Sequence, residues 1–148
     1  MNRRQHSFHI DCIPPKATAQ ASATILRRKD GTPFVGKMSS SNARKAQKTL
    51  IALMRPHVCH MPLKGAVALS VAFQWPFRKA EPKKNRAKGY IPCDKRPDCS
   101  NLIKMLEDIM TTLGFWGDDA QVAHLVVRKG WGDNPGISIS ISELTSQE

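Results

Sequence analysis

A chain of 148 residues fits one domain and leaves little room for a second hydrophobic core. Its 23 lysines and arginines stand against 12 aspartates and glutamates, a formal net charge of +11, so a polyanion is the expected partner and nucleic acid the leading one. The hydrophobic fraction of 41% is ordinary, and no apolar run reaches the roughly 20 residues that would span a bilayer, which excludes a membrane-spanning helix.

The N-terminal MNRRQHSFHI is basic but lacks the apolar segment of a secretory signal, so a cytoplasmic location with no membrane partner is expected. Residues Ser7 to Cys12 alternate weakly and run into Pro14 and Pro15, which predicts a first strand. ATILRRKDGTPFVG (23–36) has apolar ends around an Asp-Gly step and predicts a hairpin with Arg27, Arg28 and Lys29 at its tip.

Ser39 to Asn42 offer helix caps. Ala43, Ala46, Leu50 and Leu53 follow at helical spacing, and Pro56 stops the helix. Its outer face carries Arg44, Lys45 and Lys48, which suit either phosphate contact or simple solvation. From Gly65 to Trp75 the alternation is regular, with Val67, Leu69, Val71, Phe73 and Trp75 on one face, and this predicts a strand buried on one side. QVAHLVVRK and GISISISEL predict two closing strands, the last with isoleucines opposite serines. Cys12, Cys59, Cys93 and Cys99 lack CxxC spacing and are expected as reduced thiols; HVCHM matches no zinc pattern closely.

Between Trp75 and Asp98 lies PFRKAEPKKNRAKGYIPCDKRP, rich in proline and lysine. It predicts a basic flexible loop at about 78–97 within a single domain spanning 1–148. Arg78, Lys79, Lys83, Lys84, Arg86, Lys88, Lys95 and Arg96 are its candidate DNA contacts, with a solvated linker as the alternative.

The stretch PDCSNLIKMLEDIMTTLGFWGDDAQV (97–122) then places acids at both ends of one short helix in a basic chain. Leu102, Met105, Leu106, Ile109 and Leu113 form an apolar stripe, and Gly114 is a natural C-cap. A helix from Asn101 to Thr112 is about 18 Å long, and six extended residues cover about 20 Å, so Asp119 is able to return beside Asp98. One or two carboxylates with water and substrate phosphate suffice for Mg²⁺, and Lys104 would sit a turn into the helix to meet a phosphate. The competing reading has Asp98 as a cap, Asp118 and Asp119 in a turn, and Lys104 paired with Asp108 at i, i+4. Spacing leaves both open.

This stretch resembles the signature of the RusA family of Holliday junction resolvases, a helix close to D-x-D-N-L-x-K followed by a W-x-D-D-x-Q-V turn. The resemblance covers the central third of the chain strongly and the flanking strands more weakly. It implies a single-domain two-layer α/β sandwich, with a mainly antiparallel sheet and two helices, that works as a homodimer. It also implies a Mg²⁺-dependent endonuclease, with Mn²⁺ able to substitute, acting on branched, four-way DNA in recombination and repair. Nucleoid association and prophage encoding belong to the same picture. By position, Asp98, Lys104 and Asp119 match catalytic residues, with Asp98, Asp119 and Asp118 as metal ligands, while Asn101 matches a motif position of undefined role. Ser100 departs from the pattern by replacing an aspartate. That departure raises the alternative of a catalytically impaired protein that still binds branched DNA, with Asp118 or Asp94 as substitute carboxylates. A basic RNA-associated protein without a metal site is the third reading.

Overall fold

A computed structural model describes residues 3–18, 22–38 and 41–147. In chain order it contains strand β1 (Gln5–Ile10), a two-stranded ribbon of β2 (Ser22–Arg27) and β3 (Pro33–Met38), and helix α1 (Ser41–Met54). Strand β4 (Val67–Pro76), a helical turn α2 (Lys83–Arg86), short strand β5 (Tyr90–Pro92) and helix α3 (Cys99–Leu113) follow, and β6 (Val122–Gly132) and β7 (Gly136–Glu143) close the chain. The caps expected at Ser39 and Ser40 lie outside the described residues. Pro56 falls in a 3₁₀ turn directly after α1.

The main sheet has the order β1-β7-β4-β6-β5, with β4 at its centre. β4 pairs antiparallel with β7, Phe73 opposite Ile137, and parallel with β6, Val71 opposite Val127. The β1–β7 and β5–β6 pairings are antiparallel, so the sheet is mainly antiparallel as expected. The parallel pair has a physical cause: β4 and β6 are joined by a long crossover that carries α3, and such a connection returns the chain in the same direction.

The alternation in β4 reads directly as burial. Val67, Leu69, Val71, Phe73 and Trp75 are buried, and each intervening residue from Ala68 to Gln74 is half-buried. The inner row joins Ile137, Ile139 and Ile141 of β7, the α3 stripe of Leu102, Met105, Leu106 and Ile109, and Leu50 and Met54 of α1 in one core. Helices thus cover one face of the sheet, giving the two layers. The opposite face is small and polar. There Ser7 donates to Ser140 at 3.0 Å, and His9 Nδ1 lies 2.8 Å from the Ser138 hydroxyl.

The stretch 78–97, expected as a flexible loop, contains α2 and β5 and folds around a buried acid. Arg78 donates two hydrogen bonds to Glu81 Oε2 at 3.1 and 3.0 Å, and Asn85 Nδ2 donates to Oε1 at 2.7 Å. Arg86 reaches the carbonyls of Glu81 at 3.2 Å and Arg78 at 2.7 Å. The Asn85 hydrogen bond first, then Arg78 and Arg86, hold the Glu81 carboxyl below the usual range against the opposing effect of burial. Polar side chains supply here what the sparse apolar residues do not. No helix among the described residues is long and apolar enough to cross a membrane.

Candidate active site on the crossover

The residues singled out from the sequence lie on the connection between β4 and β6. Asp98 is the N-cap residue of α3, with extended backbone (φ −71°, ψ 147°), and its carbonyl accepts the first helical hydrogen bond from Leu102 at 3.0 Å. Its carboxylate makes no capping hydrogen bond. The backbone of Asp98 therefore starts the helix, while its side chain is exposed and free of that duty.

The segment before Asp98 is tied down from the sheet. Lys129 of β6 donates its ammonium to the carbonyl of Pro97 at 2.9 Å and to that of Lys95, while Cys93 N bonds Lys129 O at 3.1 Å. Pro97 is buried and its bond to Arg96 is cis. Lys129 was not singled out from sequence. It reads as one more alternating residue of a strand, and nothing local signals that its side chain holds a distant turn.

At the far end of α3, Gly114 takes the left-handed conformation (φ 85°) that stops the helix, its N–H bonding Met110 O and Thr111 O, both at 3.1 Å. Buried Phe115 and Trp116 then pin the returning chain: Leu63 N bonds Phe115 O at 2.8 Å, and Trp116 Nε1 bonds Thr111 Oγ1 at 2.8 Å. Asp118 caps the next 3₁₀ turn by accepting from Ala120 N at 2.9 Å. Gln121 accepts from Gly117 N and Asp118 N and donates to the carbonyls of Leu63 and Gly65. Each motif residue around Asp119 thus has a folding task. Asp119 is exposed, directly after Asp118 in the chain. The Ala120 N–H first and Asp119 second hold the Asp118 carboxyl below the usual range.

The charge of Asp119 also reaches Glu107 on α3, which sequence reasoning passed over. Burial chiefly, then Asp119 and Asp108, push the Glu107 carboxyl up, and Lys104 partly offsets them. Ser100, Lys104, Glu107 and Thr111 recur at helical spacing, so this polar stripe was present in the sequence. Lys104 Nζ lies 3.9 Å from Asp108 Oδ1, the i, i+4 pair weighed above, and stays 73% exposed. Ser100 is exposed in the first turn of α3. The charge of Asp119 is thus felt at Glu107, about two turns into the helix from Asp98. Among the described residues, no three His, Cys, Asp or Glu side chains form a group that could hold a metal ion, so Asp98, Asp118 and Asp119 do not form a ready cage.

The basic segment divides in two. Arg78 and Arg86 are engaged in folding; the Arg78 guanidinium also lies 4.0 Å from the centre of the Trp131 ring. Lys79, Lys83, Lys84, Lys88, Lys95 and Arg96 are exposed. Lys79, Lys95 and Arg96 line an open cavity of about 450 Å³ with Ile13, Lys16, Phe77 and Trp131, immediately before Asp98.

Together these features define a strongly basic α/β domain with an acidic centre on its crossover. The family model described as Endodeoxyribonuclease RusA matches residues 13–142, and the chain belongs to the RusA family. It is 29% identical over 144 residues to the crossover junction endodeoxyribonuclease RusA of Lactococcus phage r1t, covering 95% of this chain and 98% of that protein. It is 28% identical over 147 residues to the uncharacterized protein YqaN of Bacillus subtilis, covering 93% of this chain and all of that one. The crossover junction endodeoxyribonuclease RusA of Escherichia coli K12 shares 35% identity over 69 residues, 46% of this chain and 58% of that one.

Proposed function

We propose that this protein is a metal-dependent endodeoxyribonuclease that cuts Holliday junctions or related branched DNA during recombination and repair. The observation that carries the reading is Asp98: a carboxylate at a helix start, released from capping, directly after exposed Lys95 and Arg96 in the chain and within two helical turns of exposed Lys104. Lysines placed there draw the phosphate backbone over an acidic centre that would otherwise repel it.

The donor chemistry fits Mg²⁺, or Mn²⁺ in its place, taken up together with DNA rather than held in advance. Asp98 offers one hard oxygen ligand, and Asp119 with Asp118 or Glu107 offers another acidic position; such ions commonly rest on one or two carboxylates plus substrate phosphate. When bound, the ion supplies charge neutralisation at the phosphate and a more acidic water. The chain's own part is to position that phosphate. Lys104 donates to a phosphate oxygen as negative charge develops, and Lys129 fixes the turn that aims Asp98. Two symmetric cuts across a four-way junction suit a two-fold enzyme, so the working form is a homodimer. The RusA relative of a lactococcal phage supports a prophage origin.

A second reading follows from Ser100. With no group of three ligands among the described residues, a chain lacking the family's second aspartate would bind branched DNA and cut it poorly. Both readings are tested by cleavage of a labelled four-way junction in Mg²⁺ and in Mn²⁺ by this protein and its Ser100→Asp variant. Paired cuts by the parent support the enzyme; cuts by the variant alone support the impaired binder. Silence from both, with no junction binding, overturns both readings.

A further inference from the structure

The β2–β3 ribbon takes no part in the main sheet. An isolated pair of strands is marginal in water, yet this one carries an apolar pair on an open face: Ile25 and Val35 stand opposite each other in register and are 73% and 77% exposed. The other face is partly covered by its own side chains, with Leu26 half-buried. Leu26 pairs with Phe34, and the Arg28 guanidinium lies 5.1 Å from the centre of the Phe34 ring.

The tip is built to present cations. Arg28 N bonds Thr32 O and Gly31 N bonds Arg28 O, both at 2.9 Å, with Gly31 at φ +87°. The acid in the turn, Asp30, is consumed inside it, accepting from Thr32 N at 2.9 Å and Thr32 Oγ1 at 2.6 Å. Arg27, Arg28 and Lys29 remain exposed around it. The chain leading to the ribbon is held at the sheet: Trp75 Nε1 donates to Pro14 O at 2.8 Å, and Ile13 and Lys16 line the same cavity as Arg96, two residues before Asp98.

We propose that the β2–β3 ribbon is a DNA arm that enters a groove next to the branch point, its apolar pair against bases and its tip cations on phosphates. This rests on the branched-DNA reading above. A ribbon of six-residue strands is about 20 Å long, and the major groove, about 12 Å wide, admits a two-stranded ribbon. A second copy of this chain is the poorer occupant of the ribbon, because the three tip cations would meet a chain of net charge +11, and the homodimer proposed above therefore uses a less basic surface.

The test uses the full chain in EDTA, with fluorescence anisotropy on a labelled four-way junction and on linear duplex across a salt series. Arg27→Ser/Arg28→Ser/Lys29→Ser should lower the slope of log affinity against log salt by about 2 to 3, since each neutralised phosphate contributes about 0.9. Ile25→Ser/Val35→Ser should leave that slope unchanged and weaken junction binding about tenfold, with duplex binding within about twofold of the parent. Both variants alter surface positions and should keep the parent's thermal midpoint. A parent that prefers junctions, with both variants binding as it does, overturns the arm and leaves the branched-DNA reading standing. A parent with no preference for junctions overturns both. Loss of self-association in sedimentation with unchanged DNA binding would make the ribbon a contact between copies and overturn the arm.

Discussion

Restoring a carboxylate at position 100 separates metal binding from fold stability. Ser100 is exposed in the first turn of α3, a turn with no acidic residue. An aspartate there gains about 0.3–1 kcal/mol from the helix dipole. It also meets the Asp98 charge at about 7 Å, which costs about 0.6 kcal/mol in water. The two nearly cancel, so in EDTA the Ser100→Asp variant should melt within about 2 °C of the parent. With Mg²⁺ the balance changes, because the second carboxylate binds the ion instead of repelling its neighbour. For a site of about 1 mM affinity in 10 mM Mg²⁺, linkage gives about 1.4 kcal/mol. In a chain of this size that is a rise of about 3–6 °C beyond whatever the parent shows. Differential scanning calorimetry with EDTA, Mg²⁺ and Ca²⁺ reads the difference without any need for activity. Equal Mg²⁺-dependent shifts in parent and variant would refute the placement of position 100 beside a metal position.

Lys129→Met should remove the ammonium that holds the Lys95 and Pro97 carbonyls and cost about 2 kcal/mol in urea unfolding; junction cleavage should lose kcat more than apparent affinity, since Asp98 moves while Lys79, Lys83, Lys84 and Lys88 stay in place. Glu107 has its folded pKa raised, so its contribution falls on the destabilising side as pH rises from below its unfolded value through the folded one. Glu107→Gln should therefore melt higher than the parent at pH 7 and equal it near pH 4, and Asp119→Asn should bring the Glu107 carboxyl carbon titration in NMR back toward ordinary values. Leu106 is completely buried between α3 and the sheet, and Leu106→Ala should cost about 2–5 kcal/mol in denaturant melts.

How legible these features are in the sequence depends on the force that makes them. β4 and β7 are written as two-residue alternation because one face of each is buried, and α3 as an apolar stripe ended by Gly114. The ribbon's Asp-Gly step marked its turn. By contrast α2 rests on hydrogen bonds to buried Glu81 and β5 on its pairing with β6, and neither a single glutamate among lysines nor a three-residue strand gives a periodic signal. The parallel β4–β6 register is equally silent, since nothing in either strand states its partner. At the site, the motif marked Asp98, Lys104 and Asp119, whereas spacing could not tell that Asp98 is released from capping while Asp118 is committed to it. Glu107 was passed over because it belongs neither to the apolar stripe nor to the motif, although burial first and the Asp119 charge second raise its pKa.

The parallel pairing of β4 with β6 also orders events during folding. Val67 meets Val122 only after everything between them, Asp98, Lys104 and Asp119 included, has been gathered into the closing loop. That closure is entropically slow compared with forming α1 or the ribbon. A nascent chain released before β6 would hold most of the acidic stretch yet lack Lys129 to fix its turn and a strand to complete the sheet. The chain therefore reaches its complete acidic centre late, in the same step that joins the centre of its sheet.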